Sequence, residues 1–199
     1  MQTFSWFLRL ISGEQAEGGW RLLDEQLVQR IKAGDNAAFT TLIENNQGKV
    51  YSVAYGLVRN SEDAMDISQE TFLRAWDKIA TWRGEASLST WLCRIASNLS
   101  LDMLRKQKRV VLVREIVFAP GEVQRGPDAD ILSAEQKAEL ENAVAQLPEE
   151  YRHLVILRHA GAMSYRDMAT TLGLSLSQVK NRLLRARQML KRSLTGRVD

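Results

Sequence analysis

Apolar residues recur at helical spacing through residues 24–108, and this periodicity predicts helices over nearly all of that range. A first apolar stripe is interrupted at Gly34, which with its polar neighbours predicts a break between two helices. A second stripe is followed by Ser61, which is predicted to cap a helix that runs to about Ile79. After a polar loop, the next helix is expected from about Ser89 to Lys108.

Residues 110–132 break this pattern. They begin with β-prone residues, and then Pro120-Gly121 and Gly126-Pro127 interrupt any regular element. We therefore expect an extended linker between two domains, with a short buried strand as the alternative. The sequence thus predicts an all-α protein with one small helical domain at 24–109 and a second at 133–199.

The second domain is expected to contain four helices. The first is expected to end around Leu147, with Pro148 at the first position of the next, and Gly161 is expected to close that second helix. Two more are predicted, at 164–172 and 176–193, joined by a tight turn that contains a glycine.

The last two helices have the layout of a helix-turn-helix. Ser164 followed by Asp167, and Ser175 followed by Gln178, are capping-box starts, and Gly173 between them permits a left-handed turn. Two short helices joined in this way are typical of DNA-reading proteins.

Periodicity assigns two faces to the final helix. Its inward face is predicted to hold Val179, Leu183, Ala186 and Leu190. The opposite face and its flanks collect polar and cationic residues, namely Ser177, Gln178, Lys180, Asn181, Arg182, Arg185, Arg187, Gln188 and Arg192. Asn, Gln and Arg suit base edges, and the flanking cations suit phosphates. The alternative is a solvated basic face without a ligand.

Charge is divided unevenly along the chain. Residues 1–150 carry 17 Lys/Arg against 22 Asp/Glu, a balance of −5, whereas residues 151–199 carry 10 against 2, a balance of +8. This division favours a C-terminal part that meets a polyanion and an N-terminal part with another partner.

The helix from Ser61 carries an acidic row. Asp63, Asp66 and Glu70 recur at i, i+3 and i+7, with Gln69 beside them. Carboxylates repel DNA phosphates, so the row is interpreted as a docking face for a basic partner protein. A solvated face is the alternative, and a metal site lacks further ligands nearby.

The following loop and helix combine aromatic and cationic residues. Trp82 precedes a polar loop, and Arg94, Asn98 and Arg105 share the polar face of the helix after it. Such a combination can hold unstacked bases of a single strand. For Trp91 core packing is the preferred interpretation, whereas for Trp82 packing and base contact remain equal alternatives.

Several of these segments resemble bacterial RNA polymerase sigma factors. DAMDISQETF at residues 63–72 resembles the polymerase-binding part of region two, and residues 82–98 resemble the promoter-melting part that follows it. LPEEYR at 147–152, SYRDMA at 164–169 and VKNRLLRAR at 179–187 resemble region four. Two such domains without a region-three domain are typical of the extracytoplasmic-function (ECF, group IV) subfamily.

The resemblance implies a role for each face. Core polymerase, through its β′ and β subunits, would be bound by Asp63, Asp66, Gln69, Glu70 and Phe72. The minus-ten element would be met by Trp82, Arg83, Ser87, Arg94, Asn98 and Arg105. The minus-thirty-five element would be read by Ser177, Gln178, Lys180, Asn181, Arg182, Arg185 and Arg187. The resemblance also implies an anti-sigma factor as a partner, and neither a cofactor, a metal nor a small-molecule substrate.

Other classes fit the sequence less well. A conventional helix-turn-helix regulator would explain the C-terminal domain but not the acidic row. An enzyme is not expected, since there is no Gly-rich phosphate loop, His153 and His159 fall on different faces, and Cys93 is predicted to be a small buried residue.

The start of the chain has no role in these predictions. Residues 1–23 are expected to form a flexible leader, with an amphipathic docking segment (Phe4, Phe7, Leu8, Ile11) as the alternative. Arg9 interrupts the apolar residues, so neither a signal peptide nor membrane insertion is expected, and the single cysteine favours a reducing compartment, the cytoplasm.

Overall fold

The computed structural model describes residues 19–111 and 134–195, with side chains for 20–107 and 139–194. These residues form two compact helical units, and no strand occurs among them. The first unit contains α1 (Gly19–Lys32), α2 (Asn36–Val58), α3 (Ser61–Lys78), a 3₁₀ turn (Ile79–Thr81) and α4 (Leu88–Val111). The second contains α5 (Ala134–Ala145), α6 (Glu149–His159), α7 (Tyr165–Leu172) and α8 (Leu176–Thr195). The all-α prediction is confirmed for these residues.

The break between α1 and α2 occurs where it was predicted. Gly34 has a φ of +87°, a conformation that favours glycine. Asp35 then caps α2 by accepting a hydrogen bond of 3.1 Å from the Ala38 amide. The Arg30 guanidinium lies 2.7 Å from the Asp35 carboxylate and, by hydrogen bonding to it, lowers its pKa. This turn reverses the chain, so that α1 and α2 pack against one another.

The apolar residues on either side of the polar segment 44–49 belong to one helix. α2 continues across this segment, in which Asn46 is buried and its side-chain amide donates to the Leu42 carbonyl at 2.8 Å. Glu44, Asn45 and Gln47 are exposed on the same helix.

The cap of α3 is one residue earlier than predicted. Asn60, and not Ser61, is the N-cap, and its side chain accepts a hydrogen bond of 3.0 Å from the Asp63 amide. The preceding Arg59 adopts a left-handed φ of 60° that ends α2. This short connection places α3 alongside α2, which contacts both α3 and α4.

The predicted linker lies almost entirely outside the described residues. Only its first two residues are described, and they belong to α4, which extends to Val111 and so beyond the predicted end at Lys108. The segment 112–133 and the first 18 residues are not described, so the linker, its strand alternative and the leader stay predictions.

The start of α6 differs from the prediction, whereas its end agrees with it. Pro148 precedes α6 as its N-cap residue, with a ψ of 145°, and is not the first helical residue. Gly161 follows the end of α6 as expected, but a left-handed backbone is not the reason. A Cβ on Gly161 would lie 2.7 Å from the Leu157 carbonyl oxygen, and the positive φ belongs to Ala162.

The helix-turn-helix geometry is confirmed. Ser164 and Asp167 form a complete capping box at the start of α7, and Gly173 ends that helix with a φ of 66°. Ser175 accepts from the Gln178 amide at 3.2 Å, while its own amide donates to the Gln178 side chain at 2.8 Å. Both helix starts are therefore stabilised by local side chains, which fixes where α8 begins relative to α7.

Within the described ranges, no helix is long and apolar enough to cross a lipid bilayer.

Candidate protein and nucleic-acid interfaces

The exposed face of α3 combines acidic and apolar side chains. Asp66 and Gln69 are exposed, as predicted for the acidic row, and Glu70 is bonded to Arg74 at 2.7 Å. Asp63 is half-buried and accepts a hydrogen bond of 3.4 Å from the side-chain amide of Gln107 on α4. The centre of this carboxylate face is therefore Asp66, with Asp63 at its edge.

Three apolar side chains on the same helix remain exposed. Met65 is 51% exposed, Leu73 65% and Trp76 44%, although Trp76 also makes an edge-on contact with Phe39 at 4.8 Å between ring centroids. Their neighbours on the helix surface are Asp66 and Gln69. We call these five residues, Met65, Asp66, Gln69, Leu73 and Trp76, the α3 face.

Phe72 departs from the expectation that it contacts a partner. Its side chain is buried with Ala75 and Ile79, so it supports the α3 face from below. Trp76 lies at i+4 from Phe72, the spacing of an inward stripe, but is half exposed. A helix with apolar residues on both sides was the signal in the sequence, because an inward stripe alone leaves Met65 and Leu73 unexplained.

The loop between the 3₁₀ turn and α4 borders a cleft. This cleft of about 320 Å³ is lined by Thr81, Trp82, Arg83, Glu85, Ala86, Trp91 and Arg94. Arg83 and Glu85 are exposed, whereas Arg94 is half-buried. The structure thus brings together Trp82, Arg83 and Arg94 from the predicted minus-ten set, and it adds Trp91, which sequence reasoning had placed in the core.

Trp82 itself is well packed. It is 8% exposed, and its indole N–H donates to the Ala86 carbonyl at 3.1 Å. This geometry favours the packing alternative, because the hydrogen bond closes the loop on itself. Trp82 is nevertheless among the residues that line the cleft.

The other predicted minus-ten residues lie outside the cleft. The Ser87 hydroxyl is 3.0 Å from that of Thr90 and accepts from the Thr90 amide at 3.2 Å, so it caps α4. Asn98 and Arg105 are exposed further along α4, and Arg105 forms an ion pair of 2.8 Å with Asp102. Both continue the polar face that Arg94 begins.

The two faces of α8 are confirmed by burial. Val179, Leu183, Ala186 and Leu190 are buried, the last two in a cluster with Ala143, Leu147 and Val155. The predicted reading residues that are exposed are Ser177, Gln178, Lys180, Asn181 and Arg185. Arg182 is half-buried and bonded to Glu150 of α6 at 3.2 Å, and Arg187 is also half-buried.

Comparisons with known proteins find matches in both helical units. A Sigma-70 region 2 family model matches residues 42–110, and a Sigma-70, region 4 model matches residues 137–190. The RNA polymerase sigma-H factor of Pseudomonas aeruginosa is 30% identical over 180 residues, which cover 86% of this chain and 93% of that protein. The ECF RNA polymerase sigma-E factor of Haemophilus influenzae is 30% identical over 183 residues, covering 87% and 96%.

The chain belongs to the ECF family of RNA polymerase sigma factors. Among solved structures, it is similar to the sigma factor RpoE in a co-crystal with the anti-sigma factor NepR from Bartonella quintana. That similarity has a TM-score of 0.63 at 26% identity and covers 81% of this chain and 98% of the other. Matches to both regions do not favour a conventional helix-turn-helix regulator.

The buried thiol of this sigma factor matches its prediction. Cys93 is buried, and burial raises its pKa to about 11, so the thiol stays protonated at neutral pH. It behaves as a small packing residue of α4. His153 is buried in α6 and His159 is half-buried, and no His/Cys/Asp/Glu cluster suited to a metal occurs in the described residues.

Proposed function

We propose that this sigma factor binds core RNA polymerase through the α3 face, meets the minus-ten element with the 82–87 loop and α4, and reads the minus-thirty-five element with α8. In terms of the chain, residues 24–109 would serve polymerase binding and promoter melting, and residues 133–199 would serve upstream recognition. Because core polymerase and the chromosome share the bacterial cytoplasm, we expect it to act there.

The observation that carries this proposal is the α3 face. An exposed carboxylate and three exposed apolar side chains on one helix suit a basic, partly apolar protein surface, and they do not suit DNA. The family places polymerase binding in this part of region two, and the β′ subunit is the expected contact. The cationic surface of α8 is the complementary feature, since it suits a polyanion.

An anti-sigma factor is a further proposed partner. The Bartonella relative is described in complex with the anti-sigma factor NepR. We propose that this chain is likewise held by an anti-sigma factor until a signal releases it.

Charge reversal on α3 tests the polymerase contact. With Asp66→Lys and Glu70→Lys together, affinity for core polymerase is expected to fall by about a hundredfold or more, because like charges placed opposite each other cost several kcal/mol. The measurement is a titration of fluorescently labelled sigma factor with core polymerase, in which binding is monitored by fluorescence anisotropy.

A matched control separates this contact from general electrostatics. Glu44→Lys with Glu141→Lys makes the same change in net charge at exposed carboxylates on α2 and α5, and it should leave the affinity unchanged. Equal affinities for parent and α3 variant, with both folded by circular dichroism, would mean that the α3 face is not the contact.

A further inference from the structure

Helix α1 makes contacts with the 82–87 loop that the sequence did not predict. The Asp24 carboxylate accepts a hydrogen bond of 2.7 Å from the amide of Leu88, a residue 64 positions later in the chain. Leu88 is the first residue of α4, where the loop ends. The first amides of a helix have no partner within the helix, so an oxygen from another element can fix the position of that end.

Two different side chains hold this end of the loop. Ser87 accepts from the Thr90 amide and satisfies one of the free donors locally. Asp24 satisfies the donor of Leu88 from outside. The local cap specifies only that a helix starts at this point, whereas the bond from Asp24 fixes where that start lies relative to α1.

The middle of the loop also rests on α1. Gly84 is buried with a φ of +70°, and a Cβ there would lie 3.6 Å from the Glu25 carboxylate and 3.9 Å from Nε of Arg21. Arg21 and Glu25 are themselves joined by a bond of 3.0 Å. One turn of α1 therefore covers the loop, while other loop residues line the 320 Å³ cleft.

Partial burial disfavours the charged form of the Asp24 carboxylate. Burial raises its pKa, and the hydrogen bond from Leu88 only partly opposes that rise. An asparagine would present the same acceptor oxygen without a charge to desolvate. This difference provides a variant that keeps the hydrogen bond and one, alanine, that removes it.

We propose that Asp24 is a positioning residue for the base-reading loop, and that α1 thereby takes part in minus-ten recognition from outside the segment that the region 2 model matches. This inference rests on the proposed function, in which the 82–87 loop meets an unstacked base. Asp24 contacts no DNA itself. It holds the start of α4, and with it the walls of the cleft, in the geometry that accepts a base.

The test uses holoenzyme made from full-length sigma factor and core polymerase. The probe is a fork-junction DNA taken from a promoter that the holoenzyme transcribes, with single-stranded minus-ten bases. Versions with one abasic site at each of these positions measure how much each base contributes. For the parent, the position held by the loop should lose about fivefold or more in affinity, in line with the contribution of one stacked base.

We call the loss of affinity caused by one abasic site the abasic penalty. Asp24→Ala is expected to remove most of the abasic penalty at the position held by the loop and to leave the penalties at the other positions unchanged. Asp24→Asn should retain it, because the amide oxygen still accepts from Leu88. Gln26→Ala, an exposed change on the same helix, should match the parent. Affinity for core polymerase should not change in any of these variants, which a general loss of folding would not permit.

Each contrary result has its own meaning. A parent-like abasic penalty in Asp24→Ala would overturn the role of Asp24 while leaving the loop's function intact. Loss of the penalty in Asp24→Asn as well as in Asp24→Ala would overturn the hydrogen-bond mechanism. If the parent itself shows no position-specific penalty, the assignment of the loop fails, and the role of Asp24 fails with it.

Discussion

At position 161 a glycine is needed because there is no room for a side chain, and not because the backbone adopts a left-handed conformation. A Cβ at this position would approach the Leu157 carbonyl oxygen to 2.7 Å, and that oxygen belongs to the backbone of α6. The same carbonyl accepts from the Met163 amide at 3.0 Å, so it cannot easily move away. The sequence predicted that a glycine ends this helix, but the reason depends on a contact that only the folded turn creates.

Gly161→Ala is therefore expected to destabilise the second unit by about 1–3 kcal/mol, the usual cost of overpacking. Gly48→Ala is the matched control, since a Cβ there meets nothing within 4 Å in the middle of α2, and it should stabilise the first unit by about 0.5–1 kcal/mol. Calorimetry of thermal unfolding measures the change in stability of both variants. A Gly161→Ala protein as stable as the parent would contradict the steric account.

At the scale of single residues, the local helix caps could be predicted from the sequence, whereas the long-range contact of Asp24 could not. Ser164 with Asp167, and Ser175 with Gln178, were predicted because both partners of each pair lie within one helical turn. Asp24 could not be predicted to meet Leu88, since no periodicity links residues 64 positions apart. Phe72 and Trp76 share helical spacing, yet Phe72 is buried and Trp76 is 44% exposed beside Phe39, a difference that spacing alone does not predict.

Helix α8 was predicted most completely, because one helix face is buried and the other is polar. Its buried residues repeat at helical spacing, and their burial in the structure matches that repeat. α2 has a less clear pattern, since the polar segment around Asn46 separates its apolar residues. Amphipathic periodicity is informative where the faces are chemically distinct, and it fails where a polar residue is buried by bonding to the backbone.

The face of α8 also predicts two kinds of DNA contact. Arg185→Ala should reduce holoenzyme affinity for its own minus-thirty-five element by about 1–3 kcal/mol relative to a scrambled element, because an arginine can contact a base edge in two places. Lys180→Ala should weaken binding to both DNAs alike and reduce the salt dependence by about one counterion, as expected for a phosphate contact.

The measurement is a set of binding titrations at several salt concentrations with promoter and scrambled fork-junction DNA. Both residues are exposed on α8, so neither change is expected to disturb the packed face. If Arg185→Ala weakens both DNAs equally, Arg185 contacts the backbone and does not read sequence.

At the scale of the whole molecule, charge is distributed in a way that separates two partners. The balance of −5 over residues 1–150 and of +8 over 151–199 is visible in the sequence. The structure adds that the acidic part includes exposed apolar residues on α3, which suits a protein surface. In the basic part, α8 exposes a polar and cationic face, which suits DNA. The identity of the basic protein partner came from the family and not from charge.

The central claim is that this chain makes core polymerase start at particular promoters, and run-off transcription tests it most directly. Purified core polymerase is incubated with a library of genomic fragments, with and without the sigma factor. With the sigma factor present, new transcripts that start at defined positions are expected, and the Asp66→Lys, Glu70→Lys variant should not produce them. Absence of new transcripts with the parent protein, together with tight binding of duplex DNA by the chain alone, would contradict the account.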